Sequence, residues 1–158
     1  MVMPTSDVLD LKPEAQVCTA PMYLFGRNRT VSGRIRTIRC FEDNALVKAA
    51  MAKRSDGEVL VVDGQGSVRT ALMGDQIAGT GCANGWAAAV IFGAIRDSAI
   101  IDGLQFHVKS LGMTPRKSAK AGTGERDVII EFGGMRFVPG AYLYSDPDGV
   151  VTITESLE

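Results

Sequence analysis

The chain has 158 residues, 46% of them hydrophobic, with 17 basic and 18 acidic side chains and a formal net charge of −1. This length suits one domain with a sizeable core, spanning 1–158. The balanced charge excludes a general electrostatic draw toward nucleic acid or an anionic membrane surface.

In chain order, Thr5 or Ser6 is expected to cap a short helix through Asp10, followed by a loop holding Pro13 and Pro21. Residues 31–41 read as a strand in which Val31, Ile35, Ile38 and Cys40 are interrupted by Arg34, Arg36 and Arg39. Residues 42–53 have helical spacing, with Ala45, Leu46, Ala49 and Ala50 on one side. The run Val59-Leu60-Val61-Val62 predicts a strand buried on both faces, ending in a turn over 63–67. A short strand is expected over 68–72 and a second main helix over 74–83, closed by Asn84-Gly85 as a C-cap pair.

Residues 86–93 predict the next strand, and a helical turn over 98–102 leads to another strand over 106–109. The segment 115–124 is a polar, basic loop. Short β segments are expected over 128–132, 135–138 and 150–154, with Gly133-Gly134 as a hairpin signal. Tyr142, Tyr144 and Asp146-Pro147-Asp148-Gly149 are read as a turn. Strands mixed with helices, then a β-rich last third, predict an α/β fold with more than one sheet layer.

The absences are informative. No apolar run approaches the roughly 20 residues that span a bilayer. Residues 1–11 carry acids and no basic segment, so neither a signal peptide nor a transit peptide is expected there. Cys18, Cys40 and Cys82 are odd in number and lack CxxC spacing, which predicts reduced, buried thiols and a cytoplasmic location. His107 is the only histidine, so a His-rich zinc site within one chain is excluded. Metal chemistry would be oxygen-based and would favour Mg²⁺ or Mn²⁺.

The candidate chemistry centres on Asp75, then twenty residues, then Arg96-Asp97. A helix followed by a strand brings the start of one to the end of the other. Gly74 permits close ligand approach, and the N–H groups of Gly74-Asp75-Gln76-Ile77 would meet an anion at a helix N-terminus. Arg96 would contact a carboxylate or an enolate oxygen, and Asp97 would hold a hard cation through one oxygen plus waters. The set suits a small keto-acid anion. The bland alternatives are a first-turn acid at Asp75 and a surface salt bridge at Arg96-Asp97. His107 reads as structural, and Arg116, Lys117 and Lys120 as a solvated loop before a phosphate or partner contact. Glu125-Arg126-Asp127 closes an ion-pair network or covers a neighbouring subunit's site. Gly64-Gln65-Gly66 comes after a buried strand, but Arg69 stands where a dinucleotide fingerprint needs its third glycine.

These residues resemble the RraA-like family, which includes ribonuclease-regulating RraA proteins and 4-hydroxy-4-methyl-2-oxoglutarate aldolases. The resemblance rests on Arg39-Cys40-Phe41-Glu42-Asp43-Asn44, on residues 61–67, on Phe92-Gly93-Ala94-Ile95-Arg96-Asp97 and on Gly124-Glu125-Arg126-Asp127-Val128. Residues 137–140 and 146–149 extend it over nearly the whole chain. It implies a β/β/α sandwich like a swivelling phosphohistidine domain, assembled as a homotrimer, with pairing into hexamers a further possibility. Asp75, Arg96 and Asp97 match the aldolase Asp-x20-Arg-Asp motif residue by residue. That match implies that the 74–77 backbone binds the substrate carboxylate, Arg96 contacts the ketone oxygen and Asp97 holds Mg²⁺ or Mn²⁺. Ile100 stands where aldolases often carry a further acid, with Asp102 nearby. The implied reaction is metal-dependent cleavage of 4-hydroxy-4-methyl-2-oxoglutarate to pyruvate, with oxaloacetate decarboxylation through the same enolate. The alternative is a non-catalytic protein that docks on a ribonuclease or RNA helicase without binding nucleic acid or membrane itself.

Overall fold

The computed structural model describes residues 1–157. Helices α1 (Thr5–Leu11), α2 (Ala45–Met51), α3 (Asp75–Ala83) and α4 (Ser98–Asp102) accompany a curled, mixed sheet. Its main path runs β1 (Gln16–Val17), β12 (Gly149–Ile153), β11 (Tyr142–Asp146), β3 (Val31–Arg39), β4 (Val59–Asp63), β6 (Ala88–Ile95), β7 (Val108–Met113), β2 (Tyr23–Phe25). Strand β5 (Ala71–Met73) pairs with β6, and β8 (Glu125–Arg126) with β3. The central strands β3, β4, β6 and β7 are parallel, so their C-terminal ends share one edge. The hairpin of β9 (Ile130–Phe132) and β10 (Met135–Phe137) stands apart as its own two-stranded sheet.

Strand β4 shows why the fold has layers. All five of its residues are buried. Val59 and Val61 face one core with Ile35, Val90 and the hairpin residues Phe132 and Phe137. Leu60 and Val62 face the other, with Val47 and Met51 of α2, Ala78 of α3 and Ile101 of α4. The period-two alternation of a strand thus sends one apolar run into two cores. Phe92, Phe132 and Phe137 stack in series, with ring centroids 4.6 and 4.4 Å apart. The hairpin turns at Gly133 and Gly134, whose φ values of 60° and 77° fit the mirror-image turn that favours glycine.

Several expectations change. Neither Thr5 nor Ser6 caps α1: both are helical, Pro4 precedes them, and the Thr5 N–H and hydroxyl donate to the Asp146 carboxylate at 2.8 Å. Helix α2 is shorter than 42–53. Glu42 has φ 53°, and Asp43 forms a bridge with Ala119, so the chain turns helical only after Asn44. Residues 142–146 form a strand between β3 and β12, and the turn is confined to Pro147 and Asp148. Strand β7 runs to Met113, well past Lys109. The very short β1, β2 and β8 are additional. Cys18 and Cys40 are buried thiols, while Cys82 is half-buried. Among the described residues no helix is long and apolar enough to cross a membrane.

Candidate functional site

Pairing of β5 with β6 sets the site. The Arg96 N–H donates to the Met73 carbonyl at 2.9 Å, which lays Gly74 beside Arg96 at the shared C-terminal edge of the strands. Crevices at that edge are the usual ligand position in α/β sheets. Gly74 is extended and starts α3. A Cβ there would stand 3.1 Å from Asp97 Oδ2 and 3.2 Å from Arg96 Cγ, a tight fit that favours glycine.

Asp97 adopts a left-handed conformation (φ 56°, ψ 40°), uncommon for a residue with a side chain, and leads into α4. Its Oδ2 accepts the Asp75 N–H at 3.4 Å and lies 3.6 Å from Arg96 Nε. Both side chains are 30% exposed, which leaves them open to a ligand. Along α3 the first hydrogen bond of the helix is Ala78 N–H to the Gly74 carbonyl at 3.0 Å. The N–H groups of Gln76 and Ile77 have no acceptor among the described residues, as expected of a helix's first turn. They are donors for an anion.

Arg96, Asp97 and residues 74–77 line a single cavity of about 310 Å³. The structure therefore brings together every residue that sequence reasoning selected for the site. It also adds a basic wall that the sequence concealed: Lys48 from α2, and Lys117 and Lys120 from the loop read as solvated. Asn44, 7% exposed, lines the cavity too, and its side-chain oxygen is buried without a hydrogen-bond partner among the described residues. The spacing of Lys48 from Arg96 carries no signal, because only the folded topology sets α2 across from β6.

No group of three or more His, Cys, Asp or Glu is placed to hold a metal among the described residues. Asp75 and Asp97 are the acids on the cavity wall. One carboxylate oxygen completed by water and ligand oxygens is a donor set that Mg²⁺ accepts. With a single Asp oxygen on offer, a hard cation there would take most of its ligands from water and a bound anion.

The other candidates lie elsewhere. His107 is fully buried, with Nδ1 2.7 Å from the Asn28 carbonyl and Nε2 2.8 Å from Ser145 Oγ. Burial pushes its pKa down to about 4, so the ring is neutral, Nδ1 donates to the carbonyl and Nε2 accepts from the serine. It does not line the cavity. Glu125 and Asp127 pair with Arg39 and Arg36, the latter through two hydrogen bonds of 2.8 and 2.9 Å. In the 64–66 turn the N–H groups of Gln65, Gly66 and Ser67 donate to Asp63 Oδ1, the Phe92 carbonyl and the Gly64 carbonyl. Those amides are engaged within the protein and offer nothing to a nucleotide.

The model of the RraA-like family, described as Aldolase/RraA, matches residues 5–152. A Geobacillus kaustophilus structure described as an S-adenosylmethionine:2-dimethylmenaquinone methyltransferase is 48% identical, with a TM-score of 0.96, covering 98% of this chain and 97% of that one. The RNA-processing inhibitor RraA from Thermus thermophilus is 40% identical at a TM-score of 0.96, covering 100% of this chain and 96% of that one. Streptomyces coelicolor RraAS2, described as an unusual member of the RNase ES inhibitor RraA family, is 25% identical at a TM-score of 0.78, covering 96% and 80%. The chain belongs to the RraA-like family, which spans aldolases and inhibitors of RNA processing.

Proposed function

We propose that this protein is a divalent-metal-dependent class II aldolase that cleaves 4-hydroxy-4-methyl-2-oxoglutarate, or a near relative, to pyruvate and also decarboxylates oxaloacetate. The observation that carries the reading is the convergence of Arg96, Asp97 and the unbonded α3 N–H groups on one cavity. In this reading it is a cytoplasmic single-domain protein, 1–158, with a β/β/α sandwich like a swivelling phosphohistidine domain. It acts as a homotrimer that further pairing would convert to a hexamer.

The α3 N-terminus binds the substrate's C1 carboxylate through the Gln76 and Ile77 N–H groups, aided by the helix dipole. Asp97 would hold Mg²⁺ or Mn²⁺. The bound cation supplies Lewis-acid polarisation of the 2-keto oxygen. Arg96 donates to that oxygen as it gains charge, a contribution of about 3–4 kcal/mol in comparable sites. No histidine lines the cavity, so the 4-hydroxyl proton passes to water beside Asp75 and Asp97. The C3–C4 bond then breaks. C4 becomes the carbonyl carbon of one pyruvate, and the electron pair forms the enolate of the second, which is protonated at C3. Lys48, Lys117 and Lys120 meet the distal carboxylate.

The second reading is a regulator that binds a ribonuclease or RNA helicase, favoured by the 40% identity to the Thermus RNA-processing inhibitor. Methyl transfer is not proposed, because the amides of the 64–66 turn are engaged within the protein. The deciding experiment measures pyruvate release from both substrates with Mg²⁺ or Mn²⁺ against EDTA, for wild type, Arg96→Ala and Asp97→Ala. Metal-dependent release lost in both variants is expected. No release from folded, metal-supplied wild type overturns the aldolase reading in favour of the regulator.

A further inference from the structure

Charge is unevenly spread around the cavity. Lys48, Lys117, Lys120 and Arg96 place four cations on its wall against the two acids Asp75 and Asp97. None of the three lysines makes an ion pair among the described residues. Like charges on one wall repel one another, so holding the 116–124 segment, which carries two of them, over the cavity takes compensating anchors. Gly122 and Gly124 (φ 89° and 137°) add no stiffness of their own.

The segment is stitched down at its start. The Ala71 N–H donates to the Arg116 carbonyl at 2.8 Å, and Ser118 Oγ donates to the Ala71 carbonyl at 2.7 Å. The Ala119 N–H meets the Glu42 carbonyl, and the Asn44 N–H the Ala119 carbonyl, both at 3.0 Å. Beyond Ala119 the anchor is a side chain. Asp43, 2% exposed, accepts the N–H groups of Ala121 at 2.9 Å, Gly122 at 3.1 Å and Thr123 at 3.4 Å, and the Thr123 hydroxyl at 3.1 Å. Its other oxygen accepts the Ala45 N–H at 3.1 Å, which ties the same carboxylate to the first turn of α2, the helix that carries Lys48. Successive amides converging on one anion form a nest, and here the anion belongs to the chain. Burial alone would raise the Asp43 carboxyl, but these donors outweigh it and hold it below the ordinary carboxylate range.

We infer that Asp43 is a positioning residue: its carboxylate locks the 119–123 segment to the start of α2, and so fixes Lys120, beside the separately anchored Lys117, where it receives the distal anionic group of a dicarboxylic substrate. The inference rests on the aldolase reading and deepens it, since it assigns selectivity for a second negative charge to a residue that touches no substrate. Removing the clamp costs affinity for dicarboxylates and leaves monocarboxylates, held by α3 and Arg96, nearly unaffected.

The test is calorimetric titration with 2-oxoglutarate and with pyruvate in the presence of Mg²⁺. It compares wild type, Asp43→Asn, Lys117→Met/Lys120→Met, and the three substitutions combined. Asp43→Asn is expected to weaken 2-oxoglutarate binding roughly tenfold, the size of one lost charge-assisted contact, and pyruvate binding less than about twofold. In the Lys117→Met/Lys120→Met background Asp43→Asn adds no further loss for 2-oxoglutarate, while its lowering of Tm persists. Equal losses for both ligands, or a loss that survives without those two lysines, overturns the inference. Should Asp43→Asn fail to fold, Thr123→Val removes one donor to the clamp and carries the same comparison at smaller size. Wild type that binds neither ligand refutes the aldolase reading, and this inference with it. Wild type that binds both, with Asp43→Asn unchanged, refutes the positioning role alone.

Discussion

Two polar clusters lie on different parts of this fold, and they differ in what their groups bind. Behind β7 and β11, Thr5 donates twice to Asp146, Lys109 donates to the Asp146 and Gly149 carbonyls, and His107 bridges Asn28 and Ser145. All of these side chains are at least nine-tenths buried apart from Asn28, and each finds its partner inside the protein. At the C-terminal edge of β5 and β6, by contrast, Arg96 and Asp97 are part-exposed, Asp97 is held in a left-handed conformation, and two helix N–H groups lack acceptors among the described residues. The first cluster is complete and therefore structural. The second leaves donors and a carboxylate open to solvent or a ligand. Residue chemistry alone does not separate them, because His107 and Lys109 are as reactive by type as anything in the cavity.

Substitutions at the two clusters sharpen this contrast. The largest effect belongs to the cavity: Arg96→Ala and Asp97→Ala are each expected to lower pyruvate release by about 10²–10³-fold, in line with the loss of an oxyanion donor. Thermal unfolding measured alongside is expected to move by no more than a few degrees. The buried cluster is expected to behave in the opposite way. Asp146→Ala leaves Thr5 and the 146–149 turn without their acceptor and costs about 3 kcal/mol of stability by denaturant titration. Activity per folded molecule stays the same.

Acid separates the clusters next. Burial holds His107 at about 4, below its ordinary 6.5, so the unfolded chain binds the proton that the folded chain refuses. Stability from this residue is complete above pH 6.5 and declines as pH falls toward 4, by about 2 kcal/mol between pH 7 and 5. His107→Gln is expected to remove that part of the slope, and an unchanged slope would count against a neutral buried ring. The smallest effect returns to the cavity. Gly74→Ala pushes a methyl group against Asp97 and Arg96, and is expected to lower metal-dependent release by roughly tenfold, or about 1.4 kcal/mol, with little change in Tm.

Much of this was legible in the chain itself. Val59 to Val62 announced a strand buried on both faces, and helices form at 74–83 and 98–102 close to where the sequence places them. Arg96, Asp97 and Asp75 stood out because the spacing joins one helix start to one strand end. What escaped was non-local. Residues 142–146 looked like a turn because two tyrosines and a serine next to Asp-Pro-Asp-Gly carry weak local signals, and only pairing on both sides makes them a strand. Lys117 and Lys120 looked solvated, since nothing near them in sequence reveals that Ala71 and Asp43, far earlier in the chain, hold their loop over the cavity. The shortened start of α2 has the same origin.

One pairing also sets a timetable. Strand β1 lies against β12, with Gln16 opposite Thr152. At a synthesis rate of roughly 5–20 residues per second, the 136 residues that separate them take about 7–27 seconds to appear. For that interval the first strand waits with its edge unmatched, and β3 waits almost as long for β11. Closure of the sheet is therefore a late event of biogenesis, and the short, two-residue span of β1 limits the surface exposed to stray pairing during the wait.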